Sequence, residues 1–159
     1  MLFFKIFGAF LTALSGIMLS VTLNRRASLS LGRAEGWERL IGLIKREVEC
    51  FSLPISDILA RTDGELLALC GYTGKAVPKD LSELVAGTAF CDAETMGIAQ
   101  GFAAEFGKCY RDEQVGRCAY FLSLMEERRR KLASEMPARR RLNMTLCMSG
   151  SLCALILFL

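Results

Sequence analysis

RRRLNMTLCMSGSLCALILFL, residues Arg139–Leu159, is the stretch on which the reading of the fold turns. A basic triplet runs directly into eighteen residues, 142–159, that carry no charged side chain. As an α-helix they would extend about 27 Å, near the lower limit for crossing a hydrocarbon layer of ~30 Å. Asn143 and Thr145 sit at the entrance, where an interface tolerates polar groups, and Ser149, Gly150 and Ser151 are small interruptions in an otherwise apolar run. A buried core helix is the alternative. The basic flank and the closing Ala-Leu-Ile-Leu-Phe-Leu favour a membrane span.

The other end of the chain repeats the pattern. Ile6 to Leu23 is a second uncharged stretch of eighteen residues, followed at once by Arg25 and Arg26. A cleaved signal peptide with Ala13-Leu14-Ser15 as a weak processing site is one reading, but the apolar run continues past that point to Leu23. Basic residues flanking a span tend to stay in the cytoplasm. Arg25, Arg26 and Arg33 follow the first stretch, and Lys131, Arg139, Arg140 and Arg141 precede the second, so both basic ends face the middle segment. The expected organisation is all-α: an N-terminal transmembrane helix at 1–23, a cytoplasmic helical bundle at 24–141 and a C-terminal transmembrane helix at 142–159.

Composition agrees with that division. The chain of 159 residues is 52% hydrophobic and 23% charged, and its mean hydropathy is +0.33. All 17 acidic residues lie between Glu35 and Glu135. Residues 24–141 hold 19 basic side chains against those 17, a net of +2, which disfavours nucleic-acid binding through a broad positive surface. The seven cysteines include no Cys-x-x-Cys pair, and histidine is absent, so neither a metal nor a cofactor is expected. Thiols in a reducing compartment fit better, with Cys147 and Cys153 as packing or lipid-facing residues. Gly71-x-x-Gly74-Lys75 lacks the spacing and the following Ser or Thr of a phosphate loop; turn glycines beside a solvated lysine explain it.

The middle segment reads as helical. Trp37, Leu40, Ile41, Ile44, Val48 and Phe51 recur at three and four residues and predict one apolar face, opposite Glu38, Arg39, Lys45, Arg46 and Glu49. Pro54 ends this helix and leads into a short one over 55–60; another piece is expected over 65–70. Asp80 can cap the next helix with Glu83 three residues on, and Asp92 opens one with Met96, Ala99, Phe102, Ala103 and Phe106 inward. Gly97 and Gly101, four residues apart, suggest close helix packing, with a simple weakening of the helix as the alternative. The last soluble helix begins near Asp112, with Val115, Cys118, Ala119, Leu122, Met125, Leu132, Ala133 and Met136 inward, and Pro137 is expected to kink or break it. Arg128-Arg129-Arg130-Lys131 cannot share one helical face and has no interleaved aromatics, which favours an interfacial or partner-facing role over nucleic acid. Arg139, Arg140 and Arg141 are placed to meet anionic lipid headgroups.

Without histidine no Ser-His-Asp or Cys-His arrangement exists, and the carboxylates are dispersed. A non-enzymatic assembly or docking module is therefore expected. Leu40-x-x-Ile44-x-x-Glu47-Val48-x-x-Phe51-x-x-Pro54-Ile55, continuing to Asp57-Ile58-Leu59, resembles a region of the stage III sporulation protein AB family. Glu105-Phe106-Gly107-Lys108, Asp112-x-Gln114, Glu127, Arg141-Leu142-x-x-x-Leu146 and Gly150 look like that family's C-terminal half. Cys109-Tyr110 and Cys147-Met148 depart from the family's common Leu-Gly and Gly-Val. The resemblance implies a platform subunit of the mother cell–forespore channel, akin to the inner-membrane platform protein of type II secretion and type IV pilus systems. It would sit in the outer forespore membrane, its central domain in the mother-cell cytoplasm. Its implied partners are the cytoplasmic sporulation ATPase (the AA protein) and other channel subunits, with self-association into a homo-oligomer left open. By position, Glu47 and Pro54 would shape the end of the first soluble helix, with Glu47 divided between docking and internal bonding, and Asp112 and Gln114 would shape the start of the last. A platform for a secretion or pilus system unrelated to sporulation is the alternative.

Overall fold

The structure, a computed structural model, describes residues 2–108 and 110–158, with side-chain surroundings for 14–16, 18–108 and 110–150. Cys109 and the side chain of Cys153, singled out above, lie outside the described residues. The described elements are six helices: α1 Leu2–Phe51, α2 Ile55–Arg61, α3 Gly64–Cys70, α4 Leu81–Ala86, α5 Ala93–Glu105 and α6 Arg111–Phe158. They fall into two units, Met1–Ser28 with Ala133–Leu159, and Leu29–Leu132. The chain is all-α. Among the described residues no helix is long and apolar enough to cross a membrane. The expected spans at 1–23 and 142–159 lie partly outside the residues whose side chains are described.

In Leu29–Leu132 the core follows the periodicity. Trp37, Leu40, Ile41, Ile44 and Val48 of α1 are buried, together with Ile58 and Leu59 of α2 and Leu67 and Cys70 of α3. Leu81 and Leu84 of α4, Ala99 and Phe102 of α5, and Cys118, Phe121, Met125 and Leu132 of α6 complete it. The Trp37 ring stacks on Phe90 at 5.9 Å, and Phe102 meets Phe106 and Phe121 edge-on at 5.5 and 5.6 Å. These are the offset and T-shaped arrangements that the aromatic quadrupole favours.

Four positions depart from the expected stripes, one of them Ala133, expected inward on α6 and in fact exposed. Phe51 is 67% exposed, because α1 ends there: Ser52 turns to φ +51° and its N–H closes on the Val48 carbonyl. Pro54 then serves as the N-cap of α2 and not as the stop of α1. Met96 points outward, and Thr95 takes the buried place on α5. Phe121, outside the expected α6 face, is core. At Pro137, where a kink or a break was expected, the helix is not broken. α6 runs through Pro137, at the cost of one i→i−4 bond.

The short helices are capped as their sequences dictate. Asp63, Asp80 and Asp92 accept from the backbone N–H of Glu65, Glu83 and Thr95 at 3.1, 2.7 and 2.9 Å, each satisfying an otherwise orphaned donor. Glu83 reaches back to the Lys79 N–H at 2.8 Å, one residue earlier than in the standard reciprocal box. Gly71, at φ +95°, closes α3 in the left-handed conformation, and the Tyr72 N–H bonds the Leu67 carbonyl at 3.0 Å. An isolated bridge between Tyr72 and Thr88 ties the loop after α3 to the end of α4.

Glycine is required at Gly36 for a different reason. A Cβ there would stand 2.7 Å from the Cys70 nitrogen and from the Leu69 carbonyl carbon, so α1 and the end of α3 meet backbone to side-chain-free backbone. Of the two glycines expected to allow close packing, only Gly101 does so, with Phe121 at 3.2 Å from its virtual Cβ; nothing lies within 4 Å of Gly97.

Candidate functional site

Arg128–Lys131 occupies successive positions on α6 about 100° apart, and the structure separates the four accordingly. Arg128, with a side chain only 10% exposed, bonds Asp92 at 3.0 Å and Glu94 at 2.5 Å. Lys131, one turn on, approaches the same Glu94 at 3.7 Å. Arg129 turns to the other side and pairs with Glu38 of α1. Arg130 stays outside beside Glu126 at 3.6 Å. Two of the four are thus internal clamps from α6 to α5 and α1, which leaves Arg130 and Lys131 facing outward.

Asp92 is both the N-cap of α5 and the acceptor of Arg128. Burial pushes its carboxyl pKa up, but bonds from Thr95 and Arg128 and the Arg128 charge outweigh this and hold it below the ordinary value. Both bonds land on Asp92 Oδ1, so one oxygen stabilises a helix terminus and pairs with a buried guanidinium, while Oδ2 is buried without a hydrogen-bond partner among the described residues. The cap was legible in the sequence; the ion pair, 36 residues away, was not.

Glu47 is half-buried on α1, and among the described residues no hydrogen bond or ion pair engages it. It lies near the end of α1, which Arg111 caps by donating to the Val48 carbonyl at 3.3 Å and to the Glu49 carbonyl. The last turn of α1 holds no basic residue of its own, so a side chain from α6 supplies the positive charge that a helix C-terminus favours. This contact joins the end of α1 to the start of α6. It brings Glu47 and Phe51 to the same end of the bundle as Asp112 and Tyr110, which is 92% exposed.

The remaining candidates are structural. Gly74 packs under the Tyr72 ring, and Gly71 ends α3, so these two glycines form no phosphate cradle. An open groove of about 490 Å³ between α4 and α5 is lined by Val85, Phe90, Met96, Gln100 and Ala103. Burial drives the Cys70 thiol up to about 12 and the Cys118 thiol to about 11, which keeps both protonated. Cys50 and Cys91 are exposed, and Arg33 donates to the Cys91 sulfur at 2.7 Å. Among the described residues no group of three His, Cys, Asp or Glu could hold a metal ion.

The other unit has an inverted polarity. Gly16, Ser20, Asn24 and Ala27 of α1 and Asn143 and Cys147 of α6 are half-buried. Leu14, Met18, Leu19, Val21 and Leu23 are exposed on α1, as are Leu142, Met144, Leu146 and Met148 on α6. Asn143 Nδ2 donates to Asn24 Oδ1 at 3.3 Å, and the Ser28 hydroxyl meets the Met136 sulfur at 4.0 Å. The two rungs run in opposite sequence directions, so α1 and α6 are antiparallel within this unit. Thr22, Thr145 and Ser149 return their hydroxyls to carbonyls of their own helix at 2.7, 2.9 and 3.2 Å. Arg139 pairs with Glu135 at 2.8 Å. Arg25, Arg140 and Arg141 are exposed beside the Asn24–Asn143 rung.

No family model, curated protein or solved structure matches this chain.

Proposed function

We propose that the protein is a non-enzymatic membrane platform subunit, anchored by the unit formed from its two ends and presenting Leu29–Leu132 to cytoplasmic partners. The observation that carries this is the reversed polarity of the anchor. Large apolar side chains point away from a seam of small and amide-bearing residues, an arrangement that water penalises and lipid favours. Hydroxyls bonded back to their own helix meet the demand that a bilayer makes on polar groups. Arginines at the inner end of both apolar stretches match the bias of cytoplasmic flanks.

The register resemblance described above supplies the biological setting: the mother cell–forespore channel, in the outer forespore membrane, with the cytoplasmic sporulation ATPase and other channel subunits as partners. Docking is assigned to the end of the bundle carrying Glu47, Phe51 and Tyr110, since exposed aromatic side chains are the usual anchors of protein interfaces. Topology reporters fused at residue 80 and after residue 159 test the anchoring, and an extracytoplasmic residue 80 overturns it. Co-purification of the full-length protein with the ATPase tests the docking end. The F51S/Y110S double variant is expected to lose the ATPase while the R130E/K131E variant retains it; the reverse result relocates the face. Normal spores after deletion would remove the sporulation setting and leave the alternative platform reading.

A further inference from the structure

We infer that Arg25, Arg140 and Arg141, gathered by the Asn24–Asn143 rung, form a composite binding site for the phosphate of an anionic lipid headgroup, built from both helices. The inference rests on the membrane reading above and adds a ligand to it. Within Met1–Ser28 and Ala133–Leu159 there are six basic side chains and one acidic, a net of +5. That one acid, Glu135, is engaged by Arg139. The three site arginines are exposed, and among the described residues no carboxylate pairs with them. By contrast the bundle Leu29–Leu132 holds fourteen basic against sixteen acidic residues, a net of −2, and its Arg128 and Arg129 are matched internally.

Position completes the argument. Asn24 immediately precedes Arg25, and Asn143 lies two residues beyond Arg141, so the amide bond at 3.3 Å sets these arginine positions of two antiparallel helices at one level along the helix axes. On the far side of that level come Leu23, Val21 and Leu19 on α1 and Leu142, Met144 and Leu146 on α6, all exposed. A ligand that places a phosphate beside hydrocarbon satisfies both halves of this surface. Guanidinium forks bind phosphate oxygens bidentately, which suits arginine and explains why a single basic residue would be a weaker solution.

The test uses the full chain reconstituted in mixed phosphatidylcholine and phosphatidylglycerol bilayers, with either lipid spin-labelled to count the molecules immobilised at the protein. Wild type is expected to immobilise phosphatidylglycerol several-fold in preference to phosphatidylcholine. R25Q/R140Q/R141Q should bring that several-fold preference to parity, since each surface arginine contributes up to about a fivefold effect. R46Q/R61Q/K75Q, which removes the same charge from exposed positions of the bundle, should leave it unchanged; an equal loss there means that net charge and not this site selects the lipid, and overturns the proposal. No preference in wild type also overturns it. Inorganic phosphate at constant ionic strength should not compete; if it abolishes the preference, the site takes free phosphate and the lipid assignment falls. A protein that immobilises neither lipid fails the membrane reading itself, which is a separate outcome from immobilising both equally.

Discussion

In Leu29–Leu132 most of the large apolar side chains are buried, Phe51, Tyr110 and Tyr120 being among the exceptions, and the charges are paired or solvated. In Met1–Ser28 with Ala133–Leu159 the described large apolar side chains are exposed, and small or polar ones line the seam. Both regions are built from the same two long helices, with the same 3.6-residue period. What differs is which class of residue occupies the facing positions. Around Trp37 a contact between helices removes apolar area from water. Around Asn24 a contact leaves that area outside and joins the helices through an amide pair. The contrast teaches that helix content alone says nothing of the solvent a helix was selected for; the direction of its polarity does.

Truncating a large apolar residue in each region should break the comparison most visibly. Trp37→Ala is expected to cost about 4 kcal/mol, because a fully buried ring is lost from a core that cannot refill it. Leu146→Ala, at an exposed position, should change stability by about 0.5 kcal/mol or less in detergent. Chemical denaturation followed by helical circular dichroism measures both. A large loss for Leu146→Ala would place that side chain in a protein core and undo the contrast.

Next comes Arg128→Met, which leaves Asp92 without its buried partner and should destabilise by about 3 kcal/mol. The same pair sets an acid limit. The folded-state pKa of Asp92 lies below its unfolded value, so its contribution is fully present above about pH 4 and is lost as pH falls through the folded value. At the other extreme Cys70 and Cys118 have folded values of about 12 and 11 against 9.0. Their contribution holds below pH 9 and is lost as pH rises towards those values, because the unfolded chain releases protons that the core retains. Denaturation midpoints of wild type and Arg128→Met across pH 2–5 should converge at the acid end; parallel curves would dissociate the pair from acid stability.

Gly36→Ala and Gly97→Ala give a sharper, opposed pair. The first drives a methyl into the backbone at the end of α3 and should cost about 2 kcal/mol. The second adds a methyl in open space within α5 and should stabilise by about 0.7 kcal/mol through helix propensity. Thermal unfolding distinguishes them by sign. Smallest is Asn24→Ala; on the membrane reading proposed above it is expected to weaken the unit of Met1–Ser28 and Ala133–Leu159 by about 0.6 kcal/mol, the typical value of a side-chain bond between membrane helices, and equilibrium unfolding in mixed micelles is the check.

Much of the bundle was legible before any coordinates. The stripe from Trp37 to Val48, the aspartate caps at 80 and 92, and the separation of Arg128–Lys131 onto different faces all follow from local geometry. Reading failed at some helix ends and turns, and where a neighbour distant in sequence decides. Phe51 fits the stripe but falls at the end of α1, where Ser52 turns the chain away. Pro137 argues for a kink or a break, and α6 continues through it without a break. Gly36 gave no local signal, since its necessity is the backbone of α3 lying against it. No turn or period announces the amide rung between residues 119 positions apart.

By itself the sequence determined what one helix can know of itself: its period, its caps, its charge and its apolar length, because each depends on residues within a turn or two. Tertiary structure alone decided which arginines are matched inside and which remain open, which glycine admits a second backbone, and whether apolar side chains face a core or its surroundings. Those outcomes depend on what stands a few ångströms away across space, and chain order does not encode that distance.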